Sequence, residues 1–245
     1  MNDQTENTTS NDTQDPGLIA IATDVFVAPE KAFSALKVDN RAWFPLVLTI
    51  ALTIVSLLLF YGKVDFMWMM EQGLAAETDM SAAQKEEALA MYESMGTEQI
   101  KWFGLVAASI FIPIIFAIYG VYFLIVSNIR NDNLTYGQCF ALSCWTNIVG
   151  LVSTLIGIVV IVLNDNGQIM QTELKGLNLN DLILQLEPGN PWYGWASNFD
   201  LAGIWAAVLA AIAYKTWTKA STTASYIIGF LPLVLIFGIW ALRII

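Results

Sequence analysis

The sequence predicts an all-α, polytopic membrane protein whose helix bundle crosses the bilayer about five times. Three observations predict it. Hydrophobic residues make up 56% of the 245 positions and charged residues 13%, against about 25% charged in an ordinary soluble domain. Five apolar segments approach or exceed the roughly 20 residues a helix needs to cross a hydrocarbon core of about 30 Å. The hydrophilic connections between them alternate long, short, long, short.

Residues 1–17 are polar and acidic, with no Lys, no Arg and no apolar run. They lack the basic start and apolar core of a signal peptide and are expected to form a disordered tail. Residues 18–42 read as an interfacial amphipathic segment on the cytoplasmic side. Pro29 can open a short helix there, with Phe33 and Leu36 on one face and Val25 and Phe26 ahead of it. Such a segment either lies in the interface plane or caps the bundle from below.

The membrane domain occupies 43–245, with spans expected at about 43–61, 102–128, 140–163, 201–217 and 222–241. The fourth is the shortest, and Trp205, Trp217, Lys215 and Lys219 are placed to hold its ends at the interface. Pro113 and Pro232 each remove a backbone donor inside a span and should kink it. The third span carries the polar run Ser143-Cys144-Trp145-Thr146-Asn147, followed by Gly150, Ser153, Thr154 and Gly157. At helical spacing Ser143, Asn147, Gly150 and Thr154 form one candidate intramembrane polar face. Helix–helix contact is the plainer role for it and a polar substrate path the sharper one, and Asn147 is expected to hydrogen-bond a neighbouring helix.

Both long loops, 62–101 and 164–200, fall on one side of the membrane. The first holds eight acids and three lysines, the second five acids and one lysine. Basic residues crowd instead around the short connections and the segment before the first span: Lys31, Lys37, Arg41, Arg130, Lys215 and Lys219. That density places the N-terminus in the cytoplasm and the C-terminus and long loops outside. Within the first loop a helix is expected from about Ser81 to Met95. Ser81 and Gln84 can form a capping box, and Gly96 can end the helix. Ala88, Met91, Tyr92 and Met95 then share an apolar face. Met91, Tyr92 and Met95 are its candidate partner surface.

Chemistry is constrained by what the chain lacks. Histidine is absent, and the two cysteines, Cys139 and Cys144, lie five apart in an apolar segment. No Ser-His-Asp triad or ordinary zinc site can be assembled from these residues. There is no Walker loop or dinucleotide fingerprint. Ionisable residues are missing from the middle of every span, which weighs against ion-coupled transport. No catalytic residue, cofactor or metal is therefore expected. The acidic exterior disfavours nucleic acid and anionic headgroups as partners.

Several features recur in a familiar order: Pro29, Phe33 and Leu36 ahead of the first span, Trp43 and Pro45 at its start, and Tyr136 to Ala141 leading into the third. Phe199-Asp200 with Trp205 opens the fourth, and Lys219-Ala220 precedes the last. From about Asp24 onward this order resembles the Yip family of five-span membrane proteins, especially its bacterial branch. Two elements of eukaryotic members are replaced. Asp39-Asn40-Arg41-Ala42-Trp43 stands where those carry Asp-Leu-Tyr-Gly-Pro, and Trp145-Thr146-Asn147 stands in the third span without the proline of their Gly-Tyr-x3-Pro element. The small-GTPase partnership of the family is therefore not carried over. The bacterial branch implies an inner membrane with the acidic loops in the periplasm. The expected role is a non-enzymatic membrane scaffold or adaptor, organising membrane protein partners, further copies of itself, or membrane lipid. The alternative is a transport component, a permease, channel or lipid-moving subunit, using the polar face of the third span.

Overall fold

The computed structural model describes residues 17–77 and 79–245, so the tail expected over 1–17 lies outside the described residues except for Gly17. Two short helices come first, α1 (Leu18–Val27) and α2 (Pro29–Leu36). Pro29 occupies the first turn of α2, where its missing N–H would have had no helical partner. Val25, Phe33 and Leu36 are fully buried. The Trp217 indole Nε1 donates to the Phe33 carbonyl at 2.6 Å, and that of Trp145 to the Asn40 carbonyl at 2.9 Å. These contacts fasten the pair across one pole of the bundle, where it forms a cap.

The first span, α3 (Trp43–Lys63), leads to the opposite pole. There the chain turns into α4 (Phe66–Ala76), a helix that lies inside the first long loop of the sequence reading. Asp65 caps it by accepting from the Trp68 backbone N–H. Phe66 and Met69 are buried in a cluster with Phe60, Ile161 and Ile169. The third long element, α5 (Ala82–Arg130), starts with the Ser81–Gln84 capping box and is broken at Gly96, whose φ of 70° and ψ of 152° are non-helical. Beyond Gly96 it continues as the second span and stays helical through Pro113.

Asn131 in the left-handed conformation ends α5, and a Thr135–Gln138 capping box opens α6 (Tyr136–Thr146). A 3-10 turn over Asn147–Val149 joins it to α7 (Gly150–Leu163), and the three together make the third span. The second long loop carries a 3-10 turn (Gln171–Leu174), a π-helical turn (Asn180–Leu184) and α8 (Tyr193–Asn198). An isolated antiparallel bridge between Asn178 and Asp200 closes it. The last two helices are α9 (Leu201–Trp217), 17 residues long, and α10 (Thr222–Ile244), which stays helical through Pro232.

Among the described residues four helices are long and apolar enough to cross a membrane: α3, α5, the α6–α7 unit and α10. The short α9 packs antiparallel to α10. An added Cβ at Gly229 would lie 2.5 Å from the Ala207 carbonyl oxygen, which shows how closely the two backbones approach. The α5–α6 contact is also close, and α3 lies against α5 and α7. The Tyr122 hydroxyl donates to the Ile228 carbonyl at 2.7 Å, and that of Ser143 to the Phe116 carbonyl at 2.8 Å.

Two apolar clusters hold the poles. One, around Phe33, Leu36, Trp145 and Tyr214, joins the cap to α5, α6 and α9. The other gathers α3, α4, α7 and the second loop. In the most apolar stretch of each long helix only 11%, 17%, 28% and 11% of residues are buried, taken in chain order. Most of the apolar surface therefore points outward, as a membrane solvent permits and water would not.

Candidate functional site

A cleft of about 300 Å³ opens between α3 and α7 on the loop side of the bundle. Its α3 wall is Thr53, Ser56 and Leu57, which follow the i, i+3, i+4 spacing of a single helix face. Its α7 wall is Ser153, Thr154 and Gly157. The second loop roofs it with Gln171, Leu174 and Lys175, and Asp200 stands at the start of α9. Gly157 lets the roof approach, since a Cβ there would lie 2.6 Å from the Leu174 carbonyl oxygen.

The polar atoms differ in how far they are satisfied. Thr154 Oγ1 donates to the Gly150 carbonyl at 3.3 Å, a long bond that leaves its lone pairs available. The Ser153 hydroxyl oxygen is buried and has no hydrogen-bond partner among the described residues. Lys175 Nζ donates to Asn198 Oδ1. Burial pulls the Lys175 pKa below the ordinary lysine value, while the negative charge of Asp200 acts the other way. Burial pushes up the pKa of Glu173 beside it, the Met170 backbone N–H counters this, and the charge of Asp181 adds to the rise. Asp200 caps α9 by accepting from the Gly203 N–H at 2.6 Å.

The polar face expected along the third span is divided. Ser143 is buried against α5. Asn147 lines a separate cavity of about 80 Å³ with Tyr119, Gly203, Gly229 and Pro232. Its amide donates to the Ser143 carbonyl at 2.8 Å, within its own helix and not to a neighbour as expected. A carbonyl has two lone pairs, so Ser143 accepts both this amide and the Asn147 backbone N–H. An added Cβ on Gly150 would meet nothing within 4 Å. Thr154 alone of the four reaches the α3–α7 cleft. The 3-10 turn is the cause. Three residues advancing 120° each in place of 100° rotate everything that follows by about 60°.

The surface expected on the first loop is likewise split. Met91 and Met95 are exposed, but Tyr92 turns inward and meets the Phe66 ring edge-on at 6.2 Å. The inner stripe of the helix runs through Lys85, Ala88, Leu89 and Tyr92, which lie half-buried.

Thr53, Ser56 and Lys175 were missed as site residues by sequence reasoning. A signal existed in Thr49, Thr53 and Ser56, which recur at helical spacing inside an otherwise apolar span, and in Lys175, the lone cation of its loop. No three of Cys, Asp and Glu gather into a metal-binding group among the described residues.

No curated protein and no solved structure matches the chain. A family model does: the one described as the Yip1 domain matches residues 23–242, from within α1 to near the end of α10. Helical caps, spans and loops are all included in that match, and the chain belongs to the Yip1 domain family.

Proposed function

We propose that this protein is a non-enzymatic integral membrane adaptor that organises membrane protein partners and nearby lipid. The observation that carries the reading is the open bundle. Its long helices bury no more than 28% of their most apolar stretches, so outward surface is available for other helices and for lipid. In the membrane, association rests on packing and a few polar contacts, which such a surface can supply. The loop pole is taken as the exterior and the α1–α2 cap as cytoplasmic, because Lys31, Lys37, Arg41, Arg130, Lys215 and Lys219 gather near the cap. A bacterial inner membrane suits this arrangement, with the acidic loops in the periplasm. The test is photocrosslinking in intact membranes from Ile114 and Ile118, which are exposed on α5. Discrete protein adducts, or adducts between copies, are the expected result. Lipid adducts alone would sink the partner-organising half.

A second reading, a lipid-handling component, is favoured by the hydroxyl-lined cleft between α3 and α7. It shares the lipid half of the first reading and differs in requiring movement of lipid. A fluorescence-quenching assay for lipid exchange between leaflets of reconstituted vesicles separates them, because an adaptor gives no protein-dependent exchange.

A further inference from the structure

We infer that the α3–α7 cleft holds the headgroup of a zwitterionic, ethanolamine-type phospholipid, an inference that rests on the lipid-organising half of the function proposed above. Charges of both signs line the cleft, Lys175 in its roof and Asp200 at the start of α9. An ammonium group has three donors, so Lys175 retains two after its bond to Asn198. A phosphate ester supplies acceptors for them and for the Thr53 and Ser56 hydroxyls. Asp200 uses Oδ1 to cap α9, and its second oxygen has no hydrogen bond among the described residues. The primary ammonium of ethanolamine supplies the matching donors.

The surroundings select among headgroups. The negative charge of Asp200 acts on Lys175, and the two long loops together hold thirteen acids against four lysines. A headgroup with net negative charge is repelled there, whereas a neutral zwitterion is not. Choline carries the same positive charge as ethanolamine but has no N–H to give Asp200. Thr53 lies ten residues before the end of α3, or about 15 Å below the loop pole, so a headgroup held by its hydroxyl is drawn down the cleft toward the middle of the span.

The experiment uses full-length protein stripped of lipid in mild detergent. It is then offered mixed micelles with equal phosphatidylethanolamine, phosphatidylcholine and phosphatidylglycerol. Retained lipid is counted by mass spectrometry for wild type, Lys175→Gln, Asp200→Asn and the double variant Thr53→Val with Ser56→Ala. Asparagine keeps the side-chain oxygen that caps α9, so Asp200→Asn should fold. Wild type is expected to retain phosphatidylethanolamine over each competitor by about fivefold or more, the scale of a charge-assisted contact. Asp200→Asn should erase the preference for ethanolamine over choline, and Lys175→Gln and the double variant should lower total retention. Equal retention of the three lipids by wild type, or a preference for phosphatidylglycerol, would overturn the assignment. So would an unchanged preference in variants that keep the wild-type melting temperature. If Asp200→Asn melts early, the other two variants decide the outcome on the same terms. Soluble phosphoethanolamine competing as well as the lipid would refute the lipid source. Loss of the crosslinked partners with selective retention intact would remove the adaptor reading and leave the cleft assignment standing, and the reverse pattern would do the opposite.

Discussion

Lys63 shows how one side chain closes a helix end. Its Nζ donates to the carbonyls of Ile161, Val162 and Asn164 at 3.1, 2.8 and 2.6 Å. These belong to the end of α7 and the residue after it, where carbonyls have no helical partners and the dipole favours a cation. Lys63→Met keeps the length of the side chain and removes its donors. We expect a loss of about 1 kcal/mol, read as a lower melting temperature in detergent. Tyr92 and Met91 make a second residue-scale test. Tyr92→Ala should destabilise by about 2–3 kcal/mol, because it empties an aromatic contact with Phe66. Met91→Ser should stay within about 0.5 kcal/mol, as substitutions at exposed positions usually do. Sequence alone places both on one apolar face. A helix face of four residues is wider than the contact it makes, and only the position of α4 decides which of them is covered.

Local signals at the scale of elements were legible in the sequence. The Ser81 capping box and the stop at Gly96 depend on neighbours within a turn, so the chain carries them openly. The helix α4 was not legible, because 11 residues with Glu71 among them are too short for a span and carry no long periodic pattern. Its burial depends on Ile161 and Ile169, about a hundred positions away. The divided polar face was hidden for a related reason, since nothing in the residues Asn147–Val149 announces a 3-10 turn. Close helix pairing offers a test at this scale. Gly229→Ala would place a methyl group 2.5 Å from the Ala207 carbonyl oxygen and 2.7 Å from the Ala211 nitrogen, both backbone atoms. Forcing α9 and α10 apart should cost about 1–3 kcal/mol. Gly238→Ala in the same helix meets nothing within 4 Å and should be neutral or stabilising by up to about 1 kcal/mol. Thermal unfolding of the two variants beside wild type checks the contrast.

The whole molecule is polarised, with a cap at one end and two acidic loops at the other. Membrane-impermeant maleimide on intact cells tests the proposed orientation. Gly189→Cys, in the second loop, should label directly, and Lys219→Cys should label only after permeabilisation. Cys139 and Cys144 are buried and should stay unlabelled in both. The reverse pattern would invert the topology. Transport coupled to an ion gradient is not expected, because the spans place no charged residue at mid-depth. Reconstituted vesicles under an imposed pH or sodium gradient should show no protein-dependent flux. The rough positions of the four long apolar helices were legible because hydrocarbon thickness sets their length, whereas α9, expected as a fifth span, has only 17 residues. The α3–α7 cleft was not, since it needs two spans and a loop from three parts of the chain.

The break at Gly96 also bears on how the protein meets membranes of different thickness. The angles there are ones that only glycine adopts freely, so the segment before it is joined to the second span by a swivel and not by a rigid rod. A span longer than its bilayer answers by tilting. With a continuous helix, that tilt would swing residues 82–95 through an arc and tear Tyr92 from Phe66. With the swivel, the span can lean while the outer segment stays seated on α4. The loop face then keeps one shape as the bilayer thins or thickens, and a rigid residue at position 96 would make that shape depend on the lipid.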